Sequence, residues 1–207
     1  MKKIVFTDDN GTLKLIADKF SEASYLPFDM GYDNDCEPDG IMVGHISSLE
    51  NAEKIKKYII SKKINGAFIL VNLDLGKNGE LFSFADKDMV KKMKELCLFA
   101  DAIFINYTEA CAFANLKYAE ECEKIMIEGL IFKLNSFGMA NKLIITSVPI
   151  EDRGYKTVIS EYGECEILEN NCVSEEKYLP AALVLDKILS GKKVKSAVSE
   201  ALKLLYK

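Results

Sequence analysis

The sequence predicts an α/β fold with a mostly parallel central sheet and an antiparallel hairpin at one edge. Short apolar runs bounded by turns alternate with helical patterns along the chain, which is typical of this fold class. Several of the runs are apolar throughout, as strands covered on both faces must be. Towards the C-terminal end, two strand-like segments flank Gly163 and predict the hairpin.

Five apolar runs are predicted to be the strands of the parallel sheet. They are KIVFT (3–7), GIMVG (40–44), AFILVNL (67–73), AIFIN (102–106) and KLIITSV (142–148). The segments YKTVISEY and CEILEN on either side of Gly163 are predicted to form the antiparallel edge.

Five segments with helical spacing of apolar residues are predicted to be helices, at 47–63, 85–100, 120–137, 180–191 and 194–207. The first is predicted to begin at Ser47 or Ser48, because Glu50 follows Ser47 by three residues as in a capping box. Gly191 is predicted to end the fourth helix. The segment 29–39 is predicted to be a polar surface loop.

Composition narrows the class of protein. The 207 residues suit a single domain over 1–207, with 49% hydrophobic and 29% charged residues. The net charge of −5 and the scattered lysines argue against a nucleic-acid binder. No apolar run approaches the roughly 18 residues that span a bilayer, and no signal segment is recognised, so a cytoplasmic location is expected.

The cysteines do not indicate a metal site. No CxxC pair occurs, and a single histidine cannot complete a zinc site. Buried, unreactive thiols are therefore expected at the six positions, Cys36, Cys97, Cys111, Cys122, Cys165 and Cys172.

Polar segments follow each of the five predicted strands. They are TDDNG (7–11), GHISS (44–48), NLDLGKNG (72–79), NYTEA (106–110) and TSV (146–148). Ligands of open α/β sheets bind at the carboxyl ends of the strands. These small, polar and glycine-bearing segments therefore predict a nucleotide-type site, although turns and helix caps use the same residues.

The order of these segments resembles the pyridoxal kinase family of the ribokinase-like superfamily. The resemblance covers about 38–207 and rests on PDGIMVGHISS, VNLDLGKNGELF, ADAIFINYTEACAFANLKY and NKLIITSV. ADAIFINYTEA is the most specific segment, because the family pattern there is Ala-Asp-…-Pro-Asn-…-Thr-Glu-Ala. The resemblance implies a three-layer ribokinase-like fold and ATP- and Mg²⁺-dependent phosphorylation of pyridoxal or another B6 vitamer.

Carried over residue by residue, the resemblance implies a set of site residues. Nucleotide-binding positions match Gly76, Asn78, Asn106, Glu109, Thr146 and Ser147. Glu109 and Asp74 are the candidate metal ligands, and Asp8 is the candidate substrate contact. Two alternatives remain open. Glu109 also suits the first turn of a helix, and Asp8 also suits an ordinary Asp-Asn-Gly turn.

The chain departs from the family pattern where the chemistry is most demanding. After the third strand the family has Asp-Pro-Val-(Met/Leu)-Gly-Asp, whereas here Asn72, Leu73 and Lys77 replace the first Asp, the Pro and the last Asp. The family's Gly-Thr-Gly-Asp, which supplies the anion hole and catalytic base, falls on residues 176–179, with the base position at Leu179. No glycine lies in that segment to let the backbone approach a phosphate.

The departures favour a protein that keeps the kinase fold while catalysis is weakened or lost. Glu175 and Glu176 suit a helix N-terminus but repel a triphosphate. A kinase that still turns over would need Asp8, Asp74, Glu109 or one of these two glutamates to replace the missing groups. A folded nucleotide- or partner-binding module without catalysis is the alternative. Members of the family commonly associate, so the resemblance implies a homodimer.

Overall fold

The computed structural model describes residues 2–21, 23–27, 37–139, 142–169 and 178–205. Within them an eight-stranded sheet has the order β10-β9-β8-β7-β4-β3-β1-β2. Its strands are β1 (Ile4–Thr7), β2 (Ala23–Tyr25), β3 (Gly40–Val43), β4 (Phe68–Asn72), β7 (Ala102–Asn106), β8 (Lys142–Ile150), β9 (Gly154–Glu161) and β10 (Glu164–Leu168). Strands β5 (Gly76–Lys77) and β6 (Glu80–Leu81) form a separate small hairpin.

The sheet is parallel from β2 to β8, and only β9 and β10 run antiparallel to their neighbours. The predicted fold class, including the antiparallel edge hairpin, is therefore confirmed. The central strands are covered on both faces, and every residue of β1 and β3 is buried. This coverage explains why their sequences are continuously apolar.

Seven helices within the described residues cover the two faces of the sheet. They are α1 (Thr12–Ala17), α2 (Leu49–Ile64), α3 (Lys87–Cys97), α4 (Tyr107–Ala114), α5 (Lys124–Ser136), α6 (Tyr178–Leu189) and α7 (Val194–Leu205). Helices α2 to α5 pack on one face and α1, α6 and α7 on the other, which gives three layers and two apolar clusters. Alternate residues of a strand enter opposite clusters, as Ile69 and Leu70 of β4 do.

The helix ends follow local chemistry. Ser48, and not Ser47, caps α2, since its side chain accepts a hydrogen bond from the Asn51 N–H at 3.1 Å. Asp86 caps α3 in the same way through the Met89 N–H at 2.8 Å. Gly191 follows α6 with φ of +87°, as predicted for the residue that ends this helix.

Four short elements were not predicted from the sequence: α1, β2, α4 and the β5–β6 hairpin. The predicted loop at 29–39 lies mostly outside the described residues, as do Cys36, Cys172 and the segment 170–177 with Glu175 and Glu176. Among the residues that are described, no helix combines the length and apolar character needed to cross a bilayer.

Candidate ligand site at the carboxyl edge of the sheet

The polar segments that follow β1, β3, β4 and β7 meet at one edge, because these strands are parallel, and Thr146 of the neighbouring strand β8 pairs with Asn106 at the same edge. This edge therefore holds all the sequence-predicted site residues that follow strands. It divides into two parts. One lies beyond β1, β3 and β4, and the other beyond β7 and β8.

Asp8 lies directly after β1 and is fully buried. Its carboxylate accepts hydrogen bonds from the Gly11 N–H at 3.0 Å, the Leu13 N–H at 2.8 Å and the Tyr25 hydroxyl at 2.9 Å. Burial raises the pKa of Asp8, although these three bonds oppose the shift. The carboxylate therefore holds the turn into α1 and its contact with β2, and its predicted contact with a substrate stays a prediction.

Asp9, His45, Asp74 and Tyr178 form a cluster beyond β1, β3 and β4, called here the His45 cluster. Nδ1 of His45 lies 3.0 Å from Oδ2 of Asp74, and the Tyr178 hydroxyl donates to the same oxygen at 2.6 Å. Nε2 of His45 lies 3.8 Å from Oδ1 of Asp9. Burial and then the Asp74 charge raise the pKa of Tyr178 far above its ordinary value, so its hydroxyl remains a donor.

The His45 cluster shows what sequence reasoning missed. Asp74 was predicted as a metal ligand, and in the structure its carboxylate contacts the His45 ring and the Tyr178 hydroxyl. Histidine 45 was not among the predicted site residues, although it is the chain's single histidine and follows a predicted strand directly. Those two facts could have identified His45 as a candidate site residue from the sequence.

Asn106 and Glu109 form a capping box at the start of α4. Oδ1 of Asn106 accepts from the Glu109 N–H at 3.0 Å, and Oε2 of Glu109 accepts from the Asn106 N–H at 2.8 Å. Oε1 of Glu109 accepts from the Leu75 N–H at 2.8 Å, and Nδ2 of Asn106 donates to the Gly76 carbonyl at 2.7 Å. The pair thus ties the loop after β4 to the start of α4.

Glu109 does not fit the metal that the resemblance implies. Its side chain is fully buried, and each oxygen already accepts from a backbone N–H. A Mg²⁺ ligand needs a carboxylate that faces the ion and its water. Across the described ranges, no three His, Cys, Asp or Glu side chains are grouped so as to hold a metal ion.

The β5–β6 hairpin carries the glycines predicted to approach a nucleotide. Asn78 and Gly79 turn the chain with φ of +53° and +83°, and the Gly79 N–H donates to Oγ1 of Thr108 at 2.9 Å. Lys77 is exposed. Asn78 also lines an open cleft of about 570 Å³ together with Tyr118, Glu120, Glu121 and Tyr155.

Thr146 and Ser147 lie at an irregularity in β8, where the register with β9 shifts between Ile145 and Val148. Ser147 has φ of +54°, an uncommon conformation for a residue with a side chain. The Thr146 hydroxyl lies 3.4 Å from the Ile105 carbonyl. Backbone strain of this kind often accompanies ligand sites, so the predicted role of both residues is retained as a prediction.

Leu179, the position of the family's catalytic base, is the second residue of α6 as described and packs against the apolar cluster formed with α1 and α7. It has no group that accepts a proton. Tyr178 precedes it where the family has glycine, and its ring is buried. At these two positions the structure therefore has an apolar side chain packed against the core and a hydroxyl that donates to Asp74.

By sequence, the chain matches no family model and no curated protein. By structure, it is similar to a Bacteroides thetaiotaomicron protein described as a phosphomethylpyrimidine kinase, in a crystal form with pyridoxal. The TM-score is 0.80 at 17% identity, over 98% of this chain and 86% of that one. It is also similar to pyridoxal kinase from Lactobacillus plantarum, with a TM-score of 0.74 at 17% identity over 98% and 86% of the two chains.

A third similar structure is the Staphylococcus aureus pyridoxal kinase in complex with ADP, with a TM-score of 0.74 at 14% identity over 97% of this chain and 85% of that one. At such identities the likeness establishes the fold. The chain has the fold of these three kinases, and the resemblance seen in the sequence is confirmed as far as the fold.

Proposed function

We propose that the chain is a pyridoxal kinase-like protein that binds a small heteroaromatic molecule of the B6-vitamer class, with phosphoryl transfer weakened or lost. The fold and the position of the polar residues at the carboxyl edge of the sheet support ligand binding there. One of the similar structures holds pyridoxal and another holds ADP.

The observation that carries this proposal is a difference in burial between the two parts of the edge. Glu109 is buried and bonded to two backbone N–H groups, and the base position holds Leu179. In contrast, the side chains of His45 and Asp74 keep 15% and 17% of their surface exposed. His45 and Asp74 are therefore partly open to solvent, whereas the predicted metal ligand Glu109 is buried within the protein.

The second ligand that we propose is a nucleotide. It would lie against Thr146, Ser147 and the hairpin residues Gly76 and Asn78. Such a contact would use backbone N–H groups and hydroxyls, which are common phosphate donors. If the protein still catalyses transfer, ATP with Mg²⁺ is the expected donor, and the metal would need ligands other than Glu109.

The second candidate is a non-catalytic protein that keeps the kinase fold and binds a nucleotide or a partner. The packing of Leu179 and Tyr178 favours it, because no carboxylate occupies the base position and a buried ring replaces a glycine. This candidate shares the fold with the first and differs in having no vitamer ligand.

Thermal unfolding separates the candidates, since a ligand that binds only the folded state raises the Tm. We expect pyridoxal to raise the Tm, and a coupled assay for ADP to show turnover near background. A rise with ATP·Mg²⁺ and none with any vitamer would favour the second candidate. Efficient ADP formation with pyridoxal would contradict the proposed loss of catalysis.

A further inference from the structure

Helix α5 is apolar on two opposite faces. Its inner face packs into the core through Ile127, Leu130, Ile131 and Leu134, each at most 2% exposed. The opposite, outer face carries Ile125 and Phe132, which lie about two turns apart and are 72% and 77% exposed. Met126 beside them is 45% exposed. Surface helices usually carry polar residues opposite the stripe that faces the core, so this outer face indicates a partner that covers it.

Charges of opposite sign lie at the two ends of the outer face. Glu120 and Glu121 are exposed just before α5, and Glu123 is its N-cap residue. At the other end Lys133, in the last turn of α5, lies near Lys94 of α3. Burial, and then the Lys133 charge, lowers the pKa of Lys94. Within the described residues none of these five side chains forms an ion pair. The outer face therefore has an acidic end and a basic end, and the chain itself neutralises neither.

A second copy of the chain complements this pattern. Two α5 helices that pack antiparallel about a two-fold axis can place Ile125 of each copy opposite Phe132 of the other. The same register brings the acidic end of each helix, at Glu123, to the level of Lys133 in the other copy. In a parallel pair, like charges would meet instead. A membrane surface is a poorer match, because anionic lipids repel the glutamates at the acidic end.

We infer that the outer face of α5 is the interface of a two-fold symmetric homodimer in which the two α5 helices run antiparallel. Contact between the apolar side chains of Ile125, Met126 and Phe132 supplies the attraction, and the charged ends set the orientation. The inference does not rest on the proposed function, because none of the predicted site residues lies on α5.

The test is analytical ultracentrifugation of the full chain over a series of micromolar concentrations at physiological ionic strength. We expect the wild-type protein to sediment as a dimer. Phe132→Glu should weaken the dimer at least about a hundredfold, because a two-fold interface contains the substitution twice. Leu15→Glu is the matched control. Leu15 is 69% exposed on α1, which packs on the opposite face of the sheet, so this variant should dimerise like the wild-type protein.

Two charge-reversal variants test the antiparallel orientation. Lys133→Glu makes the basic end more acidic, and the double variant Glu121→Lys/Glu123→Lys makes the acidic end basic. The Glu123 side chain makes no capping hydrogen bond, so its replacement removes no cap. Each variant alone should dimerise at least about tenfold more weakly at low salt, because like charges then meet at both ends of the pair. An equimolar mixture should regain the dimer, which also shows that both variants are folded.

Each outcome supports or overturns the inference. If the wild-type chain is monomeric throughout the series, or if Phe132→Glu dimerises as well as Leu15→Glu, the inference is wrong. If the mixture of the charge variants dimerises no better than either variant alone, the antiparallel pairing is wrong, and the inference with it. None of these results bears on vitamer binding, which the thermal unfolding of the unmodified chain tests separately.

Discussion

Replacing Glu109 with glutamine tests whether this residue is structural. In the wild-type protein its two carboxylate oxygens accept from the N–H groups of Leu75 and Asn106, both at 2.8 Å, with no surface exposed. Glutamine offers one oxygen, so one buried N–H would face an amide NH₂ group. Loss of a charge-assisted bond and an unsatisfied donor together cost about 2–4 kcal/mol.

The expected change is large enough to measure by calorimetry. For a chain of this length, each 1 kcal/mol shifts the Tm by about 2–4 °C, so Glu109→Gln should lower it by roughly 4–16 °C. Glu128→Gln is the matched control, since Glu128 is exposed on α5 and pairs with Lys124 at 3.4 Å. Exposed substitutions usually change stability by less than about 0.5 kcal/mol, so its Tm should stay within about 2 °C.

One result would contradict the structural role of Glu109. If Glu109→Gln had the same Tm as the wild-type protein, but that Tm no longer rose on adding ATP·Mg²⁺, the capping role would be wrong. The carboxylate would then have to face a nucleotide or its metal, as the resemblance in the sequence implies.

Three other changes have defined outcomes. Burial raises the pKa of Asp8 above 3.8, so its contribution to stability is full below that pH and is lost as pH rises through the raised pKa. The stability of the wild-type protein relative to Asp8→Asn, from urea unfolding, should therefore fall over that range, and a constant difference would contradict the assignment. Gly76→Ala places Cβ 2.3 Å from the Glu80 carbonyl oxygen and should lower the Tm, whereas Gly129→Ala, with open space around it, should not. Burial raises the pKa of Cys111 to about 11, so in the folded protein it should resist iodoacetamide at mildly alkaline pH. Labelling without denaturant, seen by mass spectrometry, would refute this.

The strands of the parallel sheet could be predicted because a strand that is buried on both faces has a continuously apolar sequence. Every residue of β3 is buried, and its neighbours β1 and β4 are nearly as apolar. The alternation of such runs with amphipathic segments then limits the topology to a covered parallel sheet.

The short elements escaped prediction because individual polar contacts define them, and not hydrophobic periodicity. Helix α4 spans only eight residues and depends on the Asn106–Glu109 box, which a sequence pattern can suggest equally well as a nucleotide motif. The β5–β6 hairpin has two residues in each strand, and its turn is fixed by the Gly79 bond to Thr108. Neither contact follows from hydrophobic periodicity.

In the candidate site, too, the positions of residues could be predicted from the sequence but their contacts could not. The polar residues after each strand could be identified, and the sheet topology brings them to one edge. The partnership of Asp74 with Tyr178 joins residues 104 positions apart, and no spacing rule indicates it. Whether Glu109 reaches a ligand or the backbone is likewise decided by the direction of a side chain.

The two apolar faces of the sheet are completed at different times during synthesis. Ile4, Phe6 and Met42 of β1 and β3 pack against α6 and α7, whose residues run from 178 to 205. As the nascent chain leaves the ribosome, that side of the growing sheet is covered by the short helix α1 alone until those two helices have been translated. We expect the emerging polypeptide to need chaperone protection over this interval, since uncovered apolar strands readily aggregate.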